Sequence, residues 1–239
     1  SCGSTAMLRP LIDLEIEQID KILAKIEADP ESDDSKYAER KLWNNIKDAC
    51  INGRRTGLGI TALGDALAAL GIRYGSKESI VVTESIYKAL AIGSYRSSCV
   101  MAKERGAFPV FDANLEKGHP FLQRIWDAAP DVYELYKKYG RRNIANTTTA
   151  PTGSVSTLTQ TTSGIESAFL VFYTRWKKIN PNDHFTRVDR TDEMGDRWQA
   201  YPVFHHHFKT WMDVNGYKFD ESKTKDVQKA EDLEFYKDS

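Results

Sequence analysis

The chain has little cysteine, almost no net charge and no long apolar run. Its three cysteines, Cys2, Cys50 and Cys99, are odd in number and far apart. They form no Cys-x-x-Cys and no zinc spacing, which excludes a disulfide scaffold and a cysteine zinc site. A reducing, cytoplasmic setting is expected. The 33 basic and 34 acidic residues leave a formal charge of −1, so no broad pull toward DNA, RNA or an anionic membrane is expected. No stretch approaches the roughly 20 apolar residues that span a bilayer, and the first residues lack the pattern of a secretory signal. No internal repeat is visible, and spacing supports no Ser–His–Asp or Cys–His arrangement.

What is there is an ordinary globular composition, 41% hydrophobic and 28% charged over 239 residues, enough for one large domain or two small ones. Ile12, Ile16, Ile19, Leu23 and Ile26 recur at helical spacing and predict a helix over 11–28. The acidic stretch 29–35 reads as a surface loop. A second helix is expected over 36–51, with Leu42, Trp43 and Ile46 buried. Residues 61–70 read as a helix closed by Gly71. Gly57, Gly59 and Gly64 interrupt this apolar pattern and make sense where another backbone comes very close; packing of core helices is the expected cause. A dinucleotide loop is disfavoured, since no strand precedes Gly57 and the full GxGxxG is absent.

Ser76 is placed to cap a long helix over 77–105, ended by Gly106. Another helical stretch, 120–139, should break at Pro130 and stop at Gly140. Cys50 and Cys99 fall in helical segments and read as buried small hydrophobes. Ile144–Thr149 and Phe169–Tyr173 are β-prone. Asn180–Asp183 reads as a turn. Residues 184–200 give no clear signal. Phe208, Trp211 and Met212 suggest a short helix, and the charged tail 221–239 reads as a solvent-facing helix or disorder.

The most informative stretch follows the β-prone run at 144–149. Pro151 makes a turn into Thr152, Gly153, Ser154 and Val155, where a helix can begin. Free N–H groups at a helix start attract anions. Glycine lets an oxygen approach the backbone, and the Thr152 and Ser154 hydroxyls can donate hydrogen bonds. The same residues also make an ordinary turn with an N-cap serine. The Arg54-Arg55 and Arg141-Arg142 pairs could meet phosphate or form salt bridges. His205, His206 and His207 do not share one helix face and read as a surface or capping feature rather than a metal site. Asp192, Glu193 and Asp196 read as exposed helix charge rather than an acid–base or metal cluster.

Several segments together resemble the large subunit of ribonucleotide reductases. They are Arg54–Ile60 with Gly64–Leu67, Tyr95–Ser98, Met101–Pro109, Tyr139–Asn143, Ala150–Ser154, Thr161–Glu166, Asn180–Asp183 and Asp192–Asp196. Their order and spacing agree from about Leu11 to Tyr217, and Pro-Thr-Gly-Ser resembles the adenosylcobalamin-dependent type. The resemblance implies an α/β fold, helix-rich in this segment and part of a ten-stranded α/β barrel over 11–220. It implies radical reduction of ribonucleotides to deoxyribonucleotides, with adenosylcobalamin as cofactor. It implies that Pro151, Thr152, Gly153, Ser154 and Val155 bind the substrate phosphates. The expected partners are a ribonucleotide, the remainder of a reductase chain, a thioredoxin-like reductant and, as an option, a second copy.

The sequence departs from the family in telling places. The Asn-x-Cys-x-Glu finger loop, which carries the radical cysteine and the base, is missing, so no catalytic residue is assigned and the segment alone is expected to be inactive. Residues 1–10 fall outside the match; Ser1–Met7 reads equally as an added leader or a splice remnant, and Cys2 receives no catalytic role. Ser167 stands where the family usually has proline, and Trp176 interrupts a run of basic residues. The alternative to a reductase segment is a non-catalytic helical binding or interaction module.

Overall fold

The computed structural model describes residues 9–233, so Cys2, the rest of Ser1–Met7 and the tail's last residues lie outside the described residues. The chain divides into two compact units. One comprises Ser1–Ile60 and Leu67–Pro151, the other Thr61–Ala66 and Thr152–Ser239.

In the first unit, α1 (Arg9–Ala28) and α2 (Asp33–Gly53) pair as a helical hairpin. Ile12, Ile19 and Ile26 are the buried seam of α1, spaced by two helical turns so that one face is apolar. Ser32 caps α2 by accepting from the Ser35 N–H, and the helix starts three residues earlier than its apolar pattern. Trp43 and Ile46 are partly covered, but Leu42 is 56% exposed and does not join the buried face. α3 (Leu63–Ala69), whose residues up to Ala66 belong to the second unit, is shorter than the expected 61–70. Ala62 sits at φ 66°, a left-handed conformation that no right-handed helix can include.

The long α4 (Lys77–Arg105) runs from its Ser76 cap to Gly106, as the sequence predicts. After the one-turn α5 (Ala113–Glu116), α6 (Pro120–Ala128) and α7 (Pro130–Tyr139) each open on a proline. The N-terminal position tolerates it because that N–H has no helical partner. Tyr95, Cys99, Leu122, Ile125, Trp126, Val132 and Tyr136 bury the faces of α4, α6 and α7 together. Trp126 stacks on Tyr136 with centroids 4.7 Å apart. Burying each large side chain of this kind contributes about 1.5–3 kcal/mol. Cys99 is fully buried, whereas Cys50 is only half-buried.

The run at 144–149 is not a formal strand, yet it is extended and paired. Gly53 accepts from the Ile144 N–H at 2.9 Å, Ala145 from the Thr56 N–H at 3.0 Å, Asn146 from the Leu58 N–H at 2.9 Å, and Leu58 from the Thr148 N–H at 3.0 Å. Leu58 and Thr147 form a parallel bridge. This pairing, not helix packing, explains Gly57 and Gly59. A Cβ on Gly59 would stand 2.7 Å from the Thr148 carbonyl oxygen, and one on Gly57 2.9 Å from the Thr148 methyl. Gly140, at φ 68°, ends α7 and would meet the Phe111 ring at 2.7 Å if it carried a Cβ.

The second unit holds a three-stranded antiparallel sheet in the order β1-β3-β2, with β1 (Phe172–Lys178), β2 (Arg190–Thr191) and β3 (Arg197–Phe204). Phe172 faces Phe204, and Lys178 faces Trp198. The β-prone run expected from 169 begins three residues late, and Phe169 is 97% exposed. α9 (His206–Val214) supplies Phe208 and Met212 to a core with Phe172, Ala230 and Leu233. The tail is not a free helix over its described part. Thr174 donates its N–H to the Gln228 carbonyl at 2.8 Å and its hydroxyl to the Thr224 and Val227 carbonyls. Residues 190–197 form a hairpin, so Asp192, Glu193 and Asp196 are turn residues and not helix charge. Asp192 accepts from the N–H groups of Met194 and Asp196 and from the Trp198 indole. No described helix is long and apolar enough to cross a membrane.

Two outcomes follow. Gly59→Ala should cost about 1–3 kcal/mol in urea unfolding because rigid backbone opposes the new carbon. Gly57→Ala should cost less, since it meets the Thr148 methyl and Cβ at 2.9 and 3.1 Å and not a backbone oxygen. The second concerns alkali. Burial pushes the Cys99 thiol up to about 12 from 9.0, with the Arg141 charge opposing and the Glu116 charge adding. The folded state therefore keeps this proton where the unfolded state has lost it. Its stabilising effect is whole below pH 9 and is lost as pH rises toward 12. Chemical denaturation across that window should show a fall in stability that Cys99→Ala flattens.

Candidate functional site

The five predicted loop residues occupy the turn into α8 (Gly153–Thr159). Thr152 precedes the helix at φ −90° and ψ 46°, outside both the helical and the strand wells. The first helical bond runs from the Ser156 N–H to the Thr152 carbonyl at 2.7 Å. The N–H groups of Gly153, Ser154 and Val155 therefore stand ahead of the helical ladder. Pro151, Gly153, Ser154 and Val155 are exposed, and Thr152 is half-buried. A Cβ built on Gly153 meets nothing within 4 Å.

The hydroxyls further along α8 turn inward. Ser156 and Thr157 donate to the Gly153 carbonyl at 2.8 and 3.0 Å, and Thr159 donates to the Val155 carbonyl at 2.9 Å. Such back-bonding occupies their hydrogens within the helix. Gln160, at φ 57°, ends the element.

Behind the loop lies a second polar layer of the same unit that the sequence did not reveal as a partner. The Thr152 hydroxyl is 2.9 Å from that of Thr61 and accepts from the Gly164 N–H at 2.8 Å. Thr61 also donates to the Thr162 carbonyl at 3.0 Å. Asp65 accepts from the Thr162 N–H at 2.8 Å and returns its own N–H to the Thr162 hydroxyl at 3.3 Å. Gly64 sits so near this segment that a Cβ would lie 2.6 Å from the Glu166 carbonyl oxygen. The signal was the pairing of two hydroxyl-rich, glycine-bearing segments about a hundred residues apart, which a linear reading does not connect.

Three of the four arginines, Arg54, Arg141 and Arg142, have structural partners. Arg54 bonds Asp13 at 2.8 Å. Arg141 is buried, pairs with Glu116 and donates to the Asn143 and Ile144 carbonyls at 2.6 and 2.8 Å. Arg142 reaches the carbonyls of Arg105, Gly106 and Ala107 at the end of α4. In the histidine triplet, His205 is the N-cap position of α9, and its Nε2 lies 3.3 Å from Asp65. Among the described residues no group of three or more His, Cys, Asp or Glu could hold a metal ion.

A helix-rich α/β chain is what the sequence resemblance implied for this segment. The chain belongs to the family described as ribonucleotide reductase, barrel domain, whose model matches residues 35–194. It is 32% identical over 144 residues to a vitamin B12-dependent ribonucleoside-diphosphate reductase of Mycobacterium tuberculosis, and 29% identical over 143 residues to that of Thermoplasma acidophilum. These matches cover 60% of this chain and 18% and 16% of the two reductases, so the chain spans less than a fifth of their length. The large subunit of the African swine fever virus ribonucleoside-diphosphate reductase is 32% identical over 95 residues, 40% of this chain and 12% of the viral one.

The left-handed Ala62 offers a direct check on this layer. A non-glycine residue there costs roughly 1–2 kcal/mol, part of which glycine returns as extra freedom in the unfolded chain. Ala62→Gly should be neutral to stabilising by up to about 1 kcal/mol in thermal melting, whereas Ala62→Val should lower the melting temperature.

Proposed function

We propose that this chain is a segment of a vitamin B12-dependent ribonucleoside-diphosphate reductase, and that Pro151–Val155 hold the diphosphate of the substrate. In a full-length enzyme the segment would form part of a ten-stranded α/β barrel. The observation that carries the reading is the open space at Gly153. Among the described residues no atom stands within 4 Å of where its Cβ would be, and no left-handed backbone calls for glycine. An anion drawn to the N–H groups of Gly153, Ser154 and Val155 would require it. α8 has only seven residues, so its dipole is small and the N–H groups do most of the binding. The exposed Ser154 adds a hydroxyl donor.

Bound by its charged tail, a nucleotide would have its ribose held in one place while reduction occurs. Such fixation is the usual use of remote binding energy. Adenosylcobalamin would supply the radical. The residues described do not by themselves fit it. Two cavities in the first unit have volumes of about 550 and 530 Å³, suited to a drug-sized ligand and small for a corrin with its adenosyl group. Its seat, a thioredoxin-like reductant and the radical cysteine belong in this reading to the remainder of the reductase.

Calorimetric titration with cytidine diphosphate tests the assignment. The wild-type chain should bind it, and inorganic pyrophosphate should compete. Gly153→Ala should weaken binding at least about tenfold while leaving stability unchanged or raised by up to about 1 kcal/mol. Ser154→Ala should weaken it less. Indifference to both substitutions would favour a non-catalytic helical module in which the loop is merely a cap.

A further inference from the structure

One cavity of the first unit has walls of a definite chemistry. It has a volume of about 530 Å³ and is lined by residues of α5, α6 and α7, and its size is that of a small-molecule site. One wall is aromatic. Trp126, Tyr133 and Tyr136 gather with centroids 4.7 to 6.3 Å apart and planes within 30° of one another. Phe111 stands edge-on, its plane 90° from that of Tyr136. Tyr133 is 38% exposed, so solvent reaches part of this cluster. Such rings offer a flat, apolar face to another flat ring.

The rest of the lining is cationic. Lys117, Lys137 and Lys138 line the cavity and are exposed, against one carboxylate, Glu116. That carboxylate is already committed. Arg141 donates to both of its oxygens, and the Tyr136 hydroxyl donates at 2.9 Å. Lys137 and Lys138 belong to the last turn of α7, where a helix end favours cations in any case. Lys117 comes from a separate element, just past α5, and brings its charge to the same cavity. Lys137 also pairs with the exposed Glu134 at 2.7 Å. The Lys137 and Lys138 ammonium groups stand over the Tyr133 and Tyr139 rings at 4.9 and 5.2 Å, so each charge is laid against an aromatic face. From these walls we propose that the cavity binds a planar aromatic anion, a fused-ring acid. Its rings lie against Tyr133 and Trp126, and its charge meets the lysines. A single ring would leave much of the volume empty. The site shares no residue with Pro151–Val155 and stands whether or not that loop holds phosphate.

The probe is 2-naphthoate, a two-ring acid, with 2-naphthamide as its uncharged match, each titrated into the full chain by calorimetry. The acid should bind about tenfold more tightly than the amide, and added salt should shrink that preference. In amide NMR spectra the acid should shift Glu116–Gly118 and Lys137–Gly140. Lys117→Gln combined with Lys138→Gln should remove most of the preference while leaving amide binding within about twofold, a split that a merely structural role for the lysines would not produce. Both side chains are exposed, so the double variant should melt like the wild type. Tyr133→Leu should weaken both ligands about fivefold, because stacking does not depend on the charge. Adenosine monophosphate as a competitor separates two sources of such an anion: displacement of the acid supports a nucleotide, and no displacement supports an aryl carboxylate. Equal affinity for acid and amide, shifts confined to other residues, or a double lysine variant that keeps the full preference would overturn the site.

Discussion

Backbone hydrogen bonding between two segments without helical ladders organises the first unit. Residues 55–59 and 144–148 run side by side without helical ladders, and each would leave unpaired N–H and C=O groups without the other. Unpaired buried backbone groups cost as much as lost hydrogen bonds, so the two runs are obliged to meet. Meeting requires closeness, and closeness requires Gly57 and Gly59. Around this seam the helices supply anchors. Ser98 of α4 donates to the Asn143 side chain and accepts from the N–H groups of Arg142 and Asn143, and the Asn143 amide donates to the Arg54 carbonyl at 2.8 Å. The chain that leaves this seam at Thr148 reaches Pro151 three residues later.

The proposed phosphate role of Pro151–Val155 calls for a loop whose backbone is definite. A loop that binds an anion through backbone amides has nothing to adjust with except its own dihedral angles. Side-chain ligands can search through rotamers, whereas amides are aimed by the fold. The second unit gives the loop this definition through small hydroxyls and one carboxylate: Thr61, Thr152, Thr162 and Asp65. None is a long side chain, so little rotamer entropy opposes the order they impose.

The legible part of the fold was the part governed by local rules. Ser76 and Gly106 mark the ends of α4 because capping is a matter of a few neighbouring residues. Pro130 divides α6 from α7 for the same reason. The glycines announced a close approach, but periodicity could not say that the neighbour was an extended run nearly ninety residues away. The hairpin at 190–197 was hidden because Asp192 binds turn amides in a way that composition cannot separate from exposed helix charge. The docked tail was hidden for a related reason: its anchors are backbone carbonyls received by Thr174, and those carry no sequence signature. At the candidate site the helix start after Pro151 was legible, and the structure has it at Gly153. The layer behind it was not, because Thr61 and Thr162 look like any other threonines until the chain folds.

The contact at the end of α7 sets a rule for sequence change. The Phe111 ring occupies the volume that a side chain at position 140 would fill. Neither site can vary freely while the other stays as it is. A larger residue at 140 is tolerable only in a background where 111 has already shrunk, and glycine's left-handed backbone narrows that route further. The two positions should therefore drift together or not at all, an epistatic couple whose history would be invisible to any survey of substitutions made one at a time.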